Sequence, residues 1–231
     1  MLARCFAAQN ISGGPLFDMQ ADCPKPAALA SLPHLTVAAD GWCEQAWQQP
    51  SPNFDMRTAG MVTDLLVIHS ISLPPGQFGG PFIGALFCNQ LDCDVHPYFD
   101  QLRSLRVSAH FVIQRDGCLL QFVSANDRAW HAGLSTFRGR ERCNDFSIGI
   151  ELEGSDEAPF TDRQYQVLAS LTVVLRRRYP LTDVAGHAHI APGRKTDPGP
   201  FFDWIRFQQD YFIHGGAAQL RFPSRLGKSQ V

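Results

Sequence analysis

The segment FSIGIELEG, residues 146–154, predicts a β-strand with two different faces. Side chains alternate across a strand, so every second residue points to the same side. One side is apolar and the other carries small or acidic residues: Phe146, Ile148, Ile150 and Leu152 against Ser147, Gly149, Glu151 and Glu153. Glu151 therefore projects from a face of small residues, which leaves room for something to bind, although an exposed outer face would show the same pattern.

Other elements are predicted on both sides of this strand. The apolar run LLVIH ends at His69 and is typical of a strand covered on both faces. The runs VSAHFVIQ and CLLQFV flank Asp116 and Gly117, which favours a hairpin. Thr161 and Gln164 form a capping-box pattern at the start of a helix that ends before Pro180. Interleaved strands and helices predict an α/β fold, a single domain with a central mixed β-sheet flanked by helices.

Composition limits the classes of function. The 231 residues are 45% hydrophobic, enough for one sizeable core, and the formal net charge of -2 gives no general attraction to nucleic acid. The seven cysteines include no C-x-x-C pair, so we expect no disulfide framework and a reducing cytoplasm. No export signal is recognised at the start, and the longest helix-like apolar stretch, residues 168–175, is too short to span a membrane. We expect a soluble monomer.

Three regions are predicted along the chain. Residues 1–33 lack helical or strand periodicity and are expected to form an N-terminal extension that is poorly ordered. Residues 34–212 are expected to form the domain, and residues 213–231 a C-terminal tail. Within the domain, the segment SLPPGQFGG, residues 72–80, predicts a long surface loop because its prolines and glycines cannot continue a strand.

The segment GHAHIAPGRKTDPGP, residues 186–200, concentrates residues that could bind a metal. It places His187, His189, Lys195 and Asp197 among glycines and prolines, which predicts a rigid, non-repetitive loop. A catalytic zinc takes three protein ligands of the histidine and carboxylate type and keeps one position open for water. His69 together with this loop could supply them, but the spacing does not force any two ligands onto one face.

Taken singly, each of these residues has a more ordinary explanation. A histidine at a strand end, such as His69, is more often a hydrogen-bonded structural residue. Glu151 is most simply a solvated carboxylate, and Lys195 and Asp197 are ordinary loop charges. Trp130 is usually a core or rim aromatic. The same structural or surface interpretation is preferred for the remaining candidates, His96, His110 and His131.

Five motifs occurring together and in order change that balance. They are VIHSISLPPGQFGG, LRVSAHFVIQRDG, RAWHAG, GRERCNDFSIGIELEG and GHAHIAPGRKTDPGP. With them the chain resembles the zinc-dependent N-acetylmuramoyl-L-alanine amidases that act on 1,6-anhydro-muropeptides. The resemblance runs from about residue 40 to about residue 207. It implies the fold that these amidases share with peptidoglycan-recognition proteins.

The resemblance also implies the roles of individual residues. One Zn²⁺ per chain would be held by His69, His187 and Asp197, with water in the fourth position. Glu151 would act first as base and then as acid, and Lys195 would lie near the developing oxyanion. The implied reaction is hydrolysis of the amide between anhydro-N-acetylmuramic acid and L-alanine, in the recycling of cytoplasmic peptidoglycan fragments.

Substrate contacts are implied at four further positions. Arg106 and Arg142 match residues that grip the peptide, and arginine suits bidentate contacts to carboxylates. Trp130 would line the sugar side. Ser70 stands where the family usually has asparagine, so its shorter side chain makes a weaker contact.

Three alternatives remain open at this point. His189 stands where the family usually has aspartate, and it forms an H-x-H pair with His187 in which sequence does not identify the better ligand. A binding module of the peptidoglycan-recognition type would keep the groove and lose hydrolysis, but such modules usually lack a metal ligand. An amidase acting on the intact wall outside the cytoplasm would be expected to carry an export signal.

Overall fold

Strand β9, Ser147–Glu153, lies inside a six-stranded sheet, and all seven of its residues are buried. The structure is a computed structural model that describes residues 34–223. Its strands are β1 (Trp47–Gln48), β2 (Phe54–Asp55), β3 (Leu65–Ile71), β4 (Phe111–Ile113), β5 (Leu119–Gln121), β6 (Arg128–Ala129), β7 (Thr136–Phe137), β8 (Arg140–Glu141), β9 and β10 (Asp183–Gly186). Its helices are α1 (Phe82–Phe87), α2 (Asp162–Arg178), α3 (His187–Ile190) and α4 (Trp204–Ile213), with 3-10 turns at Pro97–Leu102 and Cys143–Asp145.

The main sheet is mixed. Its strand order is β1-β5-β4-β9-β3-β10, and β4 and β5 are the one antiparallel pair in it. Strands β2 with β6 and β7 with β8 form two small antiparallel ribbons. The predicted α/β architecture, with a central mixed sheet and flanking helices, is confirmed.

The β4–β5 pair is the predicted hairpin. Phe111 pairs with Gln121 and Ile113 with Leu119. Gly117 has a φ of 85°, a left-handed conformation that the turn requires and that glycine adopts without a steric cost. The regular pairing is shorter than the predicted runs, but the connection and its direction are as expected.

The two faces of β9 have different neighbours. Its apolar face joins the largest core cluster, which includes Ile148, Ile150 and the buried side of α2. Helix α2 begins with the predicted capping box, in which the Thr161 hydroxyl accepts from the Gln164 N–H and the Gln164 side chain accepts from the Thr161 N–H. It ends at Arg178, before Pro180, as predicted.

Two local predictions need correction. Strand β3 continues to Ile71, so His69 lies within the strand rather than at its end. The chain from residue 187 is not wholly non-repetitive, because His187–Ile190 forms a helical turn directly after β10. The glycines and prolines that suggested a loop throughout lie on either side of this turn, and they end it without preventing it.

Residues after 212 also pack against the domain. Leu220 is buried, and the Arg221 carbonyl accepts a hydrogen bond from the Val184 N–H of β10. Residues up to 222 therefore contact the core, although the tail was predicted to begin at residue 213. The predicted extension at residues 1–33, and residues 224–231 of the tail, lie outside the described residues.

No helix within residues 34–223 is long and apolar enough to cross a membrane. Four cysteines of this range, Cys43, Cys88, Cys93 and Cys143, are free thiols. Cys118 is disulfide-bonded, so the expectation of reduced cysteines fails at that residue.

Candidate active site

Three side chains converge at one end of the parallel strands. The Nδ1 atoms of His69 and His187 are 3.0 Å apart, and Asp197 Oδ2 lies 3.1 Å from each of them. This is the one group of three or more histidine, cysteine or acidic residues that could hold a metal among residues 34–223. The three predicted ligands are therefore brought together.

The sheet register explains this meeting. Strand β10 runs parallel to β3, with Gly186 beside Ile68, so His187 follows directly next to His69. Strand β3 is also paired with β9, and this register places His69 beside Glu151. Residues in register on parallel strands point to the same side of a sheet. Residues that are far apart in sequence thus share one face at neighbouring positions.

The geometry of these atoms fits a zinc ion. Two ligands on a tetrahedral zinc lie about 3.3 Å apart, given bond lengths of about 2.0 to 2.1 Å. The Nε2 of His187 lies 3.1 Å from the Ala132 carbonyl oxygen, which can only accept a hydrogen bond, so Nε2 carries the hydrogen and Nδ1 carries a lone pair. A lone pair on this nitrogen and a carboxylate oxygen facing the same point are what a divalent cation binds.

Burial controls the charge of His69. Its side chain is 1% exposed, and desolvation lowers its pKa to about 4, although Asp197 opposes part of that shift. The imidazole is therefore neutral at pH 7. A histidine must be neutral to donate a lone pair to a metal.

Glu151 lies beside the three donor atoms, with Oε1 4.0 Å from His69 Nδ1. Its other oxygen, Oε2, is buried without a hydrogen-bond partner in the described part of the chain. Burial raises the pKa of Glu151 well above its usual value, Asp197 raises it further, and Lys195 opposes the rise. A carboxyl group in such surroundings is suited to both taking and giving a proton near neutral pH.

His189 is directed away from the donor atoms. Its Nδ1 accepts a hydrogen bond from the Gly186 N–H at 2.7 Å, and its ring packs edge-on against Trp204. It therefore closes the first turn of α3. Of the two members of the H-x-H pair, only His187 belongs to the group of donor atoms.

The other predicted residues occupy more exposed positions. Lys195 is exposed, yet its charge acts on both Glu151 and His69, which places it near the site. Trp130 is half-buried and its indole N–H donates to Asp55. Their roles in binding substrate stay predictions.

Two arginines and one serine complete the predicted set. Arg106 is exposed and donates to backbone carbonyls at residues 103 and 105. Arg142 has a left-handed backbone and an ion pair with Asp145, and its side chain is 71% exposed. Ser70 is half-buried, and alternation along β3 places it on the opposite side from His69. Their contacts with substrate also stay predictions.

Sequence reasoning did not place His131 beside His69. It was expected to be structural or superficial, and it is buried, with Nδ1 2.9 Å from Nε2 of His69. The small face of β9 makes room for it, because a Cβ atom added at Gly149 would lie 2.5 Å from the His131 ring. The one sign of this contact in the sequence is the small residue Gly149, which leaves a space on this face of β9. The His131 side chain fills that space.

Comparisons with known proteins identify relatives of this chain. A family model described as N-acetylmuramoyl-L-alanine amidase matches residues 59–200. The 1,6-anhydro-N-acetylmuramyl-L-alanine amidase AmpD of Citrobacter freundii is 56% identical over 171 residues, which are 73% of this chain and 91% of that protein. The AmpD of Escherichia coli (strain K12) is 55% identical over 170 residues, which are 73% of this chain and 93% of that protein.

A solved structure gives the same result. The crystal structure of a selenomethionine derivative of AmpD is 55% identical and matches with a TM-score of 0.73. The match covers 74% of this chain and 97% of that chain. Both the sequence and the backbone of the described domain are therefore similar to those of AmpD proteins over nearly their whole length.

Proposed function

Because this chain belongs to the N-acetylmuramoyl-L-alanine amidase family, we propose that it hydrolyses the amide between 1,6-anhydro-N-acetylmuramic acid and L-alanine in cytoplasmic muropeptides, using one zinc ion. The family resemblance seen in the sequence motifs is confirmed, and the chain is a hydrolase of the sugar-to-peptide amide bond. The choice of the anhydro sugar is supported by relatives at 54–56% identity that are 1,6-anhydro-N-acetylmuramyl-L-alanine amidases.

The observation that carries the proposal is the triangle of donor atoms beside a buried carboxylate. We assign the metal to Nδ1 of His69, Nδ1 of His187 and Oδ2 of Asp197, which lie 3.0 to 3.1 Å apart. A zinc ion held there would supply Lewis acidity toward the amide carbonyl and toward water. With three protein ligands, the site keeps the open position that catalytic zinc requires.

Glu151 is assigned the proton transfers. Its carboxylate takes a proton from the attacking water as the new C–O bond forms at the carbonyl carbon. It then delivers that proton to the L-alanine nitrogen as the C–N bond breaks, which leaves a carboxylate on the lactyl group and a free amine on the peptide. The raised pKa of Glu151 favours the first step, because a carboxylate with a higher pKa is a stronger base, and it keeps the acid form available for the second step.

Lys195 is assigned to the oxygen of the amide carbonyl. This oxygen gains negative charge when water adds, and a cation close to it lowers the energy of that state. The exposed position of Lys195, together with its electrostatic effect on Glu151, fits a side chain that reaches over the site from its rim. Neutralising it should reduce kcat more than it weakens binding of the metal.

Substrate contacts are proposed at the rim. The exposed guanidinium groups of Arg106 and Arg142 are available to peptide carboxylates. Trp130 precedes His131 in the chain and offers a half-buried ring to the sugar side. Ser70 is proposed as a minor contact.

A cytoplasmic location and a monomeric state belong to the same proposal. Free thiols at Cys43, Cys88, Cys93 and Cys143 favour a reducing compartment, whereas the disulfide at Cys118 does not. Cell fractionation tests the location, and finding the protein in the periplasm would overturn it. Light scattering of the purified chain tests the monomer.

The decisive experiment is product analysis by mass spectrometry. The purified chain is incubated with an anhydromuramyl-peptide, with zinc added or with a chelator. We expect anhydromuramic acid and a peptide with a free L-alanine amine, and loss of both products with the chelator. Tight binding without turnover would instead indicate a binding module, and turnover that persists in the chelator would overturn the metal assignment.

A further inference from the structure

The ligand histidine His69 is held from behind by a second buried histidine. His69 Nε2 and His131 Nδ1 are 2.9 Å apart, and the two rings meet edge to face at 85°. One proton lies between these two nitrogens. Which ring carries it decides whether Nδ1 of His69 has a lone pair for a metal, because a neutral imidazole carries a proton on only one nitrogen.

The hydrogen bonds of the other ring nitrogen of His131 show where this proton lies. Its Nε2 lies 3.2 Å from the hydroxyl oxygen of Ser147. That hydroxyl donates its own hydrogen to the Cys143 carbonyl oxygen at 2.6 Å, and a carbonyl oxygen can only accept. Ser147 must therefore accept from His131, which puts the imidazole proton of His131 on Nε2.

The other ring nitrogen of His131 faces His69. Among the described residues its Nδ1 has the Nε2 of His69 as its hydrogen-bond partner, at 2.9 Å, and the ring is buried against the backbone of Gly149. With the proton on Nε2, the Nδ1 of His131 carries a lone pair and accepts a hydrogen bond from the Nε2–H of His69.

We propose that His131 and Ser147 are positioning residues that hold His69 in the tautomer whose Nδ1 can bind the metal. The hydrogen-bond chain runs from His69 to His131, then to Ser147, and ends at the Cys143 carbonyl. This inference rests on the zinc site proposed above. Partners of this kind behind a metal ligand fix its ring orientation, and removing them typically weakens metal binding by about 10 to 100-fold.

The backbone at residues 131 and 132 supports both ligand histidines together. The Asn144 side-chain oxygen accepts from the N–H groups of His131 and Ala132, at 3.2 and 2.8 Å. The same short segment thus presents the His131 ring to His69 and the Ala132 carbonyl to His187. Each ligand histidine has its Nε2 engaged and its Nδ1 available.

Metal affinity of the whole chain tests the proposal. The zinc dissociation constant is measured by competition with a chromophoric chelator for wild type, His131→Leu, His131→Asn and Ser147→Ala. We expect His131→Leu to weaken zinc binding by about 10 to 100-fold. His131→Asn should recover most of that affinity, because its amide oxygen can stand where Nδ1 stood and accept from His69. Ser147→Ala should have a smaller effect in the same direction.

Ser51→Ala is the matched control. Ser51 is also a buried serine that donates to a backbone carbonyl, that of Phe87, and accepts from a backbone N–H, but within residues 34–223 it has no histidine partner. Ser51→Ala should lower the free energy of unfolding, as Ser147→Ala does, but its zinc affinity should equal that of wild type. Equal zinc affinity in wild type and His131→Leu, or no recovery of affinity in His131→Asn, would overturn the proposed role of this hydrogen-bond chain. If the wild-type protein binds no zinc, the proposed function is overturned, and the role proposed for the hydrogen-bond chain is overturned with it.

A direct measurement remains decisive if a variant fails to fold. Long-range ¹H–¹⁵N spectra of the histidine rings in the metal-free wild type report which nitrogen carries the proton. We expect the Nε2–H tautomer for both His69 and His131. The Nδ1–H tautomer at His131 would contradict the proposal, because a purely structural histidine in this place could take either form.

Discussion

The two faces of β9 are equally buried but differ in what their side chains require. On one face, Ile148, Ile150 and Leu152 join the core that packs against α2, where volume and apolar character suffice. On the other face, Ser147 lies within hydrogen-bond distance of His131, Gly149 leaves space for that ring, and Glu151 lies beside the proposed metal ligands. On one face of β9 an apolar side chain can be replaced by another of similar volume. On the other face each side chain is needed for a particular hydrogen bond or for its place beside the proposed metal site.

The difference lies in the direction of the interactions. Hydrophobic burial is roughly proportional to area and has no preferred angle, so one aliphatic side chain can replace another at modest cost. Hydrogen bonds and metal ligation depend on which atom faces which. The polar face should therefore respond to changes of a single atom, and the apolar face to changes of volume.

The largest effect is expected at Glu151. Glu151→Gln keeps the size of the side chain but removes its ability to take and give a proton, so kcat should fall by about 10² to 10⁴-fold. Zinc content should stay near that of wild type, because Glu151 is not one of the three proposed ligands. Steady-state kinetics on the anhydromuramyl-peptide, with metal analysis of the same sample, measures both.

Glu153→Gln is the control for this substitution. Glu153 is a buried carboxylate on the same face, and it accepts from the N–H groups of Gly79 and Arg115. Its substitution directs an amide N–H₂ at a backbone N–H and should cost about 1 to 3 kcal/mol of stability, with little change in kcat. An equal loss of kcat in both variants would contradict the special role of Glu151.

The polar face should also make the fold sensitive to acid. Burial lowers the pKa of His69 to about 4 and that of His110 to about 3, against an ordinary value of 6.5. The unfolded chain therefore binds more protons than the folded chain below about pH 6.5, and stability falls as the pH falls toward those folded values. From pH 7 to pH 5 each histidine should cost roughly 2 kcal/mol.

Glu151 acts in the opposite direction, because its raised pKa lets the folded state hold a proton that the unfolded state has released. It offsets part of the histidine effect without reversing it, since it is one group against several buried imidazoles. Urea unfolding of chelator-treated protein at several pH values measures the sum. A free energy of unfolding that stays level between pH 7 and pH 5 would be inconsistent with neutral buried histidines.

The same comparison shows what sequence reasoning could reach. Alternation predicted the strand and its two faces correctly for residues 147–153, whereas Phe146 precedes the strand and packs in a separate apolar cluster with Leu65 and Val67. The family motifs named His69, His187 and Asp197, which the fold brings together. The small face was expected to leave room for something to bind. That room holds His131, which is 62 residues away from His69 in the chain, and periodicity within one strand carries no information about such a partner.

Gly149→Ala tests that room directly. The added methyl group would lie 2.5 to 2.7 Å from atoms of the His131 ring, so the ring must move. Overpacking of this kind costs about 1 to 3 kcal/mol, and the displaced ring should also weaken zinc binding through His69. Gly84→Ala is the control, because the close contact of its new methyl group, 2.8 Å, would be with the flexible end of Gln49, and the Phe122 ring would lie at an ordinary 3.8 Å. Unchanged zinc affinity in Gly149→Ala would show that the position of His131 does not matter to the metal.

The smallest effect is expected on the apolar face. Ile148→Val removes one methylene group from the core beside α2 and should lower the free energy of unfolding by about 0.5 to 1.5 kcal/mol. Because this side chain points away from His69 and Glu151, kcat and the zinc dissociation constant should match those of wild type. The dependence of stability on pH should also keep its slope, since no histidine loses a contact. A loss of zinc affinity in Ile148→Val would mean that the two faces are mechanically coupled through the backbone of β9, and the separation between them would then fail.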